Sequence, residues 1–217
     1  MNATLPEAAV QQQFDDASQQ KEAAMLGMWA FIATEVLFFG VLFAAYVVCR
    51  WRFPLAFVEG SAHTDFAMGT AETAILLTSG CLAAIALRQI QLDCARQSAI
   101  LLMITSALGV AFLVLHGMEY HDEFEEGLIP GIRYTQTGPD ARGVELFFSL
   151  YYVITGFHSL HVLIGVVLLL VMAIRTWRGT FSSAYYTPIE ITGLYWSLVD
   201  IVWIFVYPAI YLVGSAG

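Results

Sequence analysis

The sequence predicts an all-α, polytopic membrane protein, built as a bundle of five transmembrane helices. Of its 217 residues, 59% are hydrophobic and only 12% are charged, about half the charged fraction of an ordinary soluble domain. The charged residues are also spaced so that long apolar stretches lie between them. Five of these stretches are near or above the length of about 20 residues that an α-helix needs to cross a bilayer.

The first two predicted spans each contain one acidic residue. The first is Ala23–Cys49, where Glu35 lies near the middle of the apolar run. The second is Phe66–Leu87, where Glu72 lies near the start. A carboxyl group near the middle of a membrane helix costs about 3 kcal/mol on insertion scales. We therefore expect Glu35 to be paired, protonated or functional.

Three further spans are predicted at Gln97–Met118, Leu146–Ile174 and Ile191–Ala216. Their ionisable side chains are those of His116, His158, His161 and Asp200. Residues 1–22 are polar and lack an apolar stretch, so we expect a polar N-terminal tail rather than a secretory signal. The membrane domain then comprises residues 23–217.

The distribution of basic residues predicts the orientation of this bundle. The side that holds the N-terminus carries Lys21, Arg88, Arg96, Arg175 and Arg178. The opposite side carries Arg50, Arg52, Arg133 and Arg142. Because basic residues are enriched in cytoplasmic connections, the N-terminus is expected in the cytoplasm and the C-terminus outside.

Charge and cysteine content argue against several classes of function. The net charge of −9 disfavours nucleic-acid binding. The three cysteines, Cys49, Cys81 and Cys94, are far apart and form no CxxC pair, so neither a disulfide framework nor a zinc site is indicated. We expect no metal or redox cofactor in this chain.

The last span carries a polar stripe. Trp196, Asp200 and Trp203 follow one another at helical spacing and share one face. We expect Asp200 to accept hydrogen bonds from the two indole groups and to face protein. A packed polar seam is the favoured interpretation, and a proton relay is the alternative.

Two histidines of the fourth span, His158 and His161, are three residues apart and share a face. Such a pair can bind a metal or haem, but buried hydrogen bonding between helices is the favoured interpretation.

Glu119 lies three residues after His116 and can pair with a histidine across the bundle. The acidic run 122–126 is expected to be a solvated loop, with cation binding as the alternative.

Glu35 has no basic residue on its own helix. Its predicted face is lined by Met28, Phe31, Phe38, Phe39 and Leu42. In such apolar surroundings we expect Glu35 to hold its proton. It then acts either as a neutral hydrogen-bond donor to another helix or as a protonatable site with a functional role.

Four segments taken together resemble the cytochrome c oxidase subunit III family. Residues 27–39, with Thr34-Glu35, resemble its glutamate-bearing helix, and residues 156–165 resemble its Gly-x-His-x-x-His-Val helix. Residues 195–203 resemble its closing Trp-His-x-x-Asp-x-x-Trp helix. Glu119-Tyr120 matches the Glu-Tyr that ends an intervening helix, and the order and spacing agree over nearly all of the chain.

The chain departs from the family pattern in two ways. Ser197 stands where the family usually has a histidine, so no role of that imidazole can be carried over. The long form of the family has seven helices, whereas five are predicted here. The two helices that are not matched form one arm of a lipid-holding V in the long form, and many bacterial members are similarly short.

The resemblance implies a subunit of a haem–copper terminal oxidase of aerobic respiration, in the bacterial cytoplasmic membrane. Subunits I and II of such a complex hold the haems and copper and couple electron transport to proton translocation. Subunit III has no redox cofactor, packs mainly on subunit I, holds lipid and supports proton uptake. A larger respiratory supercomplex is a further possible partner. By motif, Glu35 is the family's buried carboxylate, and the buried polar network comprises Glu119, His158, His161, Asp200, Trp196 and Trp203.

Three other interpretations stay open at this point. Relatives of the family serve quinol oxidases and nitric oxide reductases, although Thr34-Glu35 favours the cytochrome c branch. An autonomous transporter or channel needs a polar stripe on several helices, and the second and third spans offer little of one. A haem-binding electron carrier would use His116, His158 and His161.

Overall fold

The computed structural model describes residues 13–135, 137 and 140–212. Over this part the chain forms six helices and one two-stranded antiparallel sheet. The helices are α1 (Ala17–Arg52), α2 (Pro54–Ala62), α3 (Phe66–Gln91), α4 (Ala95–Glu125), α5 (Ala141–Trp177) and α6 (Thr187–Ile210). The strands β1 (Leu128–Ile129) and β2 (Arg133–Tyr134) lie between α4 and α5.

Five of the described helices, all except α2, are long and apolar enough to cross a membrane. Each coincides with one predicted span, although most extend further. The largest extension is in α4, which continues beyond Met118 to Glu125. Residues 1–12 of the expected tail and residues 213–216 of the fifth predicted span lie outside the described residues.

Four of the helices close into a ring. Helix α3 packs on α4, α4 on α5, α5 on α6, and α6 back on α3. Helix α1 lies outside this ring, against α5 and α6. The short helix α2, which begins with Pro54 in its first turn, packs on α5 at the end of the bundle where β1 also lies. The polar side chains therefore have two kinds of interior available, the centre of the ring and the seam beside α1.

The indole of Trp196 on α6 packs at the centre of the ring and contacts its other three helices. Its side chain is fully buried, and its ring lies against Gly109 on α4 and Gly165 on α5. A Cβ atom at either glycine would lie only 2.7 Å from the indole. The indole N–H donates a hydrogen bond of 3.0 Å to the Ser79 hydroxyl on α3. One side chain thus contacts all three other helices of the ring, and the close approach requires glycine at both positions.

Replacing Gly109 by Ala is expected to destabilise the bundle by about 1–3 kcal/mol, because the added methyl group must displace the indole and the Val166 side chain. Gly117 on the same helix has open space around its Cα. Gly117→Ala is therefore the matched control and is expected to be neutral or stabilising, since Ala has the higher helix propensity. Unfolding of both variants in detergent, followed by tryptophan fluorescence, measures the difference. Equal effects of the two substitutions would contradict this packing.

At the end of the bundle opposite α2, side-chain carboxylates accept hydrogen bonds from backbone N–H groups. The Asp16 carboxylate caps α1 by accepting a hydrogen bond of 2.7 Å from the Gln19 backbone N–H. Asp93, in the turn between α3 and α4, has a positive φ of 62°. It accepts a hydrogen bond of 3.0 Å from the Ser183 backbone N–H. The Ser183 hydrogen bonds lower the pKa of Asp93, so this link between two turns weakens only as the pH falls through that lowered pKa.

Candidate functional site

Apart from His158, the buried ionisable side chains that the sequence places in the membrane helices lie in three separate places among the described residues. The first lies inside the ring, near the end that carries α2, and we call it the acid–histidine cluster. Its members are Glu72 of α3 and His116, Glu119 and Glu123 of α4, all at most 3% exposed. The second is the pair of Glu35 and His161 between α1 and α5, and the third is Asp200 on α6.

The imidazole of His116 lies between two carboxylates. Its Nδ1 atom is 3.5 Å from Glu72 Oε1 and 3.6 Å from Glu119 Oε2. These separations are longer than hydrogen bonds but short enough for strong electrostatic attraction. The Tyr211 hydroxyl donates a hydrogen bond of 2.6 Å to Glu119 Oε2 and so fixes that carboxylate. The ring of Phe112 stacks on the imidazole at 5.7 Å.

The burial of Glu123 contradicts part of the expectation that the acidic run 122–126 is a solvated loop. Because α4 continues to Glu125, Glu123 lies one turn beyond Glu119 on the inward face of the helix. It is only 3% exposed, and its carboxylate lies towards the Tyr151 and Tyr152 hydroxyl groups of α5. Asp122 and Glu125, in the same acidic run, are exposed as expected.

The two histidines of α5 do not form a common site. His158 is fully buried in the ring, where it stacks on Trp203 at 5.0 Å and meets the edge of Phe112 at 5.7 Å. His161 faces α1 instead. Although they are three residues apart, His158 points into the ring interior and His161 points into the seam beside α1. The expected hydrogen bond between helices is made by His161, whereas neither ring nitrogen of His158 has a hydrogen-bond partner among the described residues.

Glu35 is paired with His161. Glu35 Oε2 lies 3.2 Å from His161 Nε2, and the two side chains are 17% and 15% exposed. The other ring nitrogen, Nδ1, lies 2.7 Å from the Phe157 carbonyl oxygen. A carbonyl oxygen can only accept, so Nδ1 carries a proton. The remaining contact therefore shares one proton, held either by His161 Nε2 or by the Glu35 carboxyl group.

This pairing revises the expected surroundings of Glu35. Phe38 and Phe39 do lie near it and pack on α5, where Phe39 meets the His161 ring at 5.4 Å. The partner that the sequence of α1 could not supply comes from α5. The backbone of His161 is held in turn by the Tyr195 hydroxyl of α6, which donates to its carbonyl oxygen at 3.1 Å. The pair thus lies where α1, α5 and α6 meet.

The expected hydrogen bonds from Trp196 and Trp203 to Asp200 are not formed. Trp196 donates to Ser79, and Trp203 donates at 3.0 Å to the Thr73 hydroxyl. Both acceptors belong to α3, because side chains on one helical stripe point towards the neighbouring helix rather than towards one another. Asp200 instead lies against Gly80 of α3, and its Oδ1 atom has no hydrogen-bond partner among the described residues.

Ser197, at the position of the family histidine, forms a local contact. Its hydroxyl donates a hydrogen bond of 3.0 Å to the Gly193 carbonyl oxygen one turn earlier on α6. This contact satisfies the hydroxyl within its own helix. Glu72 and His116, by contrast, belong to the acid–histidine cluster, although the polar network implied by the family resemblance includes neither of them. The sequence feature that could have indicated this cluster is that Glu72 lies near the start of the second predicted span and His116 near the end of the third. In an antiparallel pair of helices these two positions lie at the same level.

These features define an integral membrane helical bundle with buried acid–histidine contacts. The chain matches the family described as Cytochrome c oxidase subunit III over residues 5–215. It therefore belongs to that family, and the resemblance seen in its motifs is confirmed.

Several curated relatives carry oxidase names. The chain is 30% identical over 199 residues to "Cytochrome c oxidase subunit 3" of Thermostichus vulcanus, covering 91% of each protein. It is 28% identical to "Cytochrome bo(3) ubiquinol oxidase subunit 3" of Pseudomonas aeruginosa, covering 93% of this chain and 90% of that protein. It is also 31% identical to "Heme-copper oxidase subunit I+III" of Aeropyrum pernix. That match covers 89% of this chain and spans only 23% of the relative's length.

Proposed function

We propose that this chain is the non-redox subunit III of a haem–copper terminal oxidase in the bacterial cytoplasmic membrane. The observation that carries the proposal is the family match over residues 5–215. In this role the chain stabilises subunit I, holds lipid and supports proton uptake, while subunits I and II transfer electrons to oxygen and translocate protons. The N-terminus lies in the cytoplasm and the C-terminus outside, as the basic residues indicate.

The arrangement of the histidines supports a role without a haem. His116 and His158 both lie inside the ring, but the rings of Phe112 and Trp203 pack between the helices there, 4.9 Å apart. Aromatic side chains therefore pack directly against both imidazoles. His161 is engaged by Glu35 and by the Phe157 carbonyl group. The haems and copper of the complex are accordingly assigned to the partner subunits.

Subunit I is the proposed main partner, with subunit II and lipid as further contacts. The name of the Aeropyrum relative places subunits I and III in one chain, and two parts of a fused protein commonly assemble with each other. Helix α1 offers a large apolar surface for such contacts, since side chains such as Leu26, Leu37 and Val41 are about 70% exposed. A membrane subunit or lipid must cover this surface.

Cytochrome c is the proposed electron donor of the complex, and Thr34-Glu35 is the feature that favours it. A quinol oxidase or nitric oxide reductase is the alternative, since the relatives include both a cytochrome c and a ubiquinol oxidase subunit at similar identity. The test is purification of the tagged chain in mild detergent. We expect haem-containing partners to co-purify and to oxidise reduced cytochrome c. Recovery without any haem protein would refute the proposal, and oxidation of quinol alone would select the alternative.

Glu35→Gln is expected to leave the fold intact, because an amide can still donate to His161 Nε2 across the same distance. It removes the shared proton, so we expect slower proton uptake or earlier inactivation of the assembled oxidase during turnover. Stopped-flow proton uptake and the decay of oxygen consumption measure this. Thr34→Val is a neighbouring control, because the Thr34 hydroxyl donates its hydrogen bond to the Phe31 carbonyl group of its own helix. Unchanged turnover in Glu35→Gln would remove the functional role from this pair.

A further inference from the structure

The acid–histidine cluster has the composition and spacing of a metal site. One ligand atom from each of Glu72, His116 and Glu119 lies within 4.8 Å of the other two. The ligands come from two neighbouring helices, and all three side chains are at most 3% exposed. His116 and Glu119 occupy positions i and i+3 of α4, and Glu72 of α3 approaches the same His116 nitrogen, Nδ1, as Glu119 does.

We propose that Glu72, His116 and Glu119 bind one divalent transition-metal ion, of which Zn²⁺ is the representative. A tetrahedral zinc ion with ligands at about 2.0–2.1 Å holds those ligands about 3.3–3.4 Å apart. His116 Nδ1 lies 3.5 Å from Glu72 Oε1 and 3.6 Å from Glu119 Oε2. Two of the three ligand separations are therefore close to those around a zinc ion, and the third is within 4.8 Å.

The hydrogen bonding of these side chains favours a ligand. Both carboxylate oxygens of Glu72, both ring nitrogens of His116 and Oε1 of Glu119 are buried and have no hydrogen-bond partner among the described residues. Buried charged groups are normally paired or bound to a metal. A divalent cation bound by Glu72 and Glu119 would neutralise both of those carboxylates in the buried interior.

The surroundings of the cluster supply the other parts of a metal site. The Tyr211 hydroxyl donates a hydrogen bond to Glu119 Oε2, the oxygen that faces His116 Nδ1, and such outer hydrogen bonds commonly orient metal ligands. Glu123 lies one turn further along α4 and is also buried. A cavity of about 130 Å³ beside Glu119 and Glu123 is also lined by His63, Asp65 and Glu126. This acidic cavity gives a cation a route from the end of the bundle.

The donor set selects the class of ion. An imidazole nitrogen suits Zn²⁺ and other first-row transition metals, whereas Ca²⁺ and Mg²⁺ prefer oxygen ligands alone. A metal ion at this cluster would differ from the expectation that this chain binds no metal. It also differs from the cation site considered for the exposed acidic run, because Glu72 comes from another helix and only folding brings it to His116.

The test is zinc binding to the full-length chain in detergent after treatment with a chelator. We expect one tightly bound Zn²⁺ per chain, measured by elemental analysis and by competition with a chromophoric chelator. Glu72→Gln and His116→Gln are each expected to weaken binding at least about tenfold, because each removes a ligand. Glu125→Gln and His121→Gln change the same residue types at exposed positions of α4 and are expected to have no effect.

X-ray absorption of the wild-type zinc complex provides a readout that does not depend on the variants folding. We expect a shell of oxygen and nitrogen ligands at about 2.0–2.1 Å that includes one imidazole. Zinc bound in a sulfur environment, unaltered affinity in Glu72→Gln, or no binding above that of the buffer would overturn the proposal. Because the measurement uses the isolated chain, its outcome is independent of the proposed oxidase function.

Discussion

His116→Gln is expected to lower the free energy of unfolding of the bundle by about 3–5 kcal/mol, the cost typical of removing one partner from a buried ionic contact. His116 is the positively charged or metal-binding member of the cluster, and without it Glu72 and Glu119 face each other in the ring interior. Unfolding of the chain in detergent, followed by tryptophan fluorescence, measures the loss. His121→Gln is the control, because His121 is exposed on the same helix.

The second variant of this experiment separates charge from packing. Adding Glu72→Gln to His116→Gln removes one of the two opposed carboxylates, and we expect the double variant to regain at least half of the lost stability. If the double variant is no more stable than His116→Gln alone, the loss arises from packing of the imidazole against Phe112. The electrostatic account of the cluster would then be wrong.

Trp196→Ala is expected to destabilise the bundle by about 3–5 kcal/mol, the range for truncating a buried aromatic side chain. In a membrane this loss comes mainly from packing, because lipid is as apolar as the protein interior. The substitution leaves a cavity between Gly109 and Gly165 and removes the indole donor to the Ser79 hydroxyl, which keeps its own hydrogen bond to the Leu76 carbonyl oxygen. Thermal unfolding in detergent, with helix content followed by circular dichroism, measures the effect.

Two further substitutions calibrate that result. Trp196→Phe keeps an aromatic ring against the glycines and loses the indole N–H, so a smaller loss of about 1 kcal/mol is expected. Trp29→Ala removes an indole that is 55% exposed on α1, and little change is expected. A loss in Trp29→Ala as large as that in Trp196→Ala would show that the position between the glycines has no special role.

The membrane helices were predictable because length and apolar character alone decide whether a segment can span a bilayer. The ends of the helices were less predictable. The acidic residues after Met118 suggested a loop, yet α4 continues through them because Glu119 and Glu123 turn inward to the cluster. The short helix α2 was not predicted, since its nine residues from Pro54 to Ala62 are too few to give a periodic signal.

The pairing of polar residues between helices was the least predictable part of the site. A helical stripe correctly grouped Trp196 and Trp203, but their acceptors are hydroxyl groups on α3. Similarly, the sequence of α1 marks Glu35 as unusual without identifying His161 as its partner. Spacing within one helix shows which face a side chain occupies, whereas only the packing of the ring decides what it meets.

The most direct test of the non-redox role compares the assembled oxidase with and without this chain. The proposal predicts that a complex stripped of the chain keeps its haem spectrum and its initial rate of oxygen consumption per haem, but inactivates sooner during turnover. Adding the purified chain back is expected to restore the longer lifetime. If removing the chain removes haem from the complex, or if the purified chain alone shows a haem spectrum, the assignment as a non-redox subunit III is contradicted.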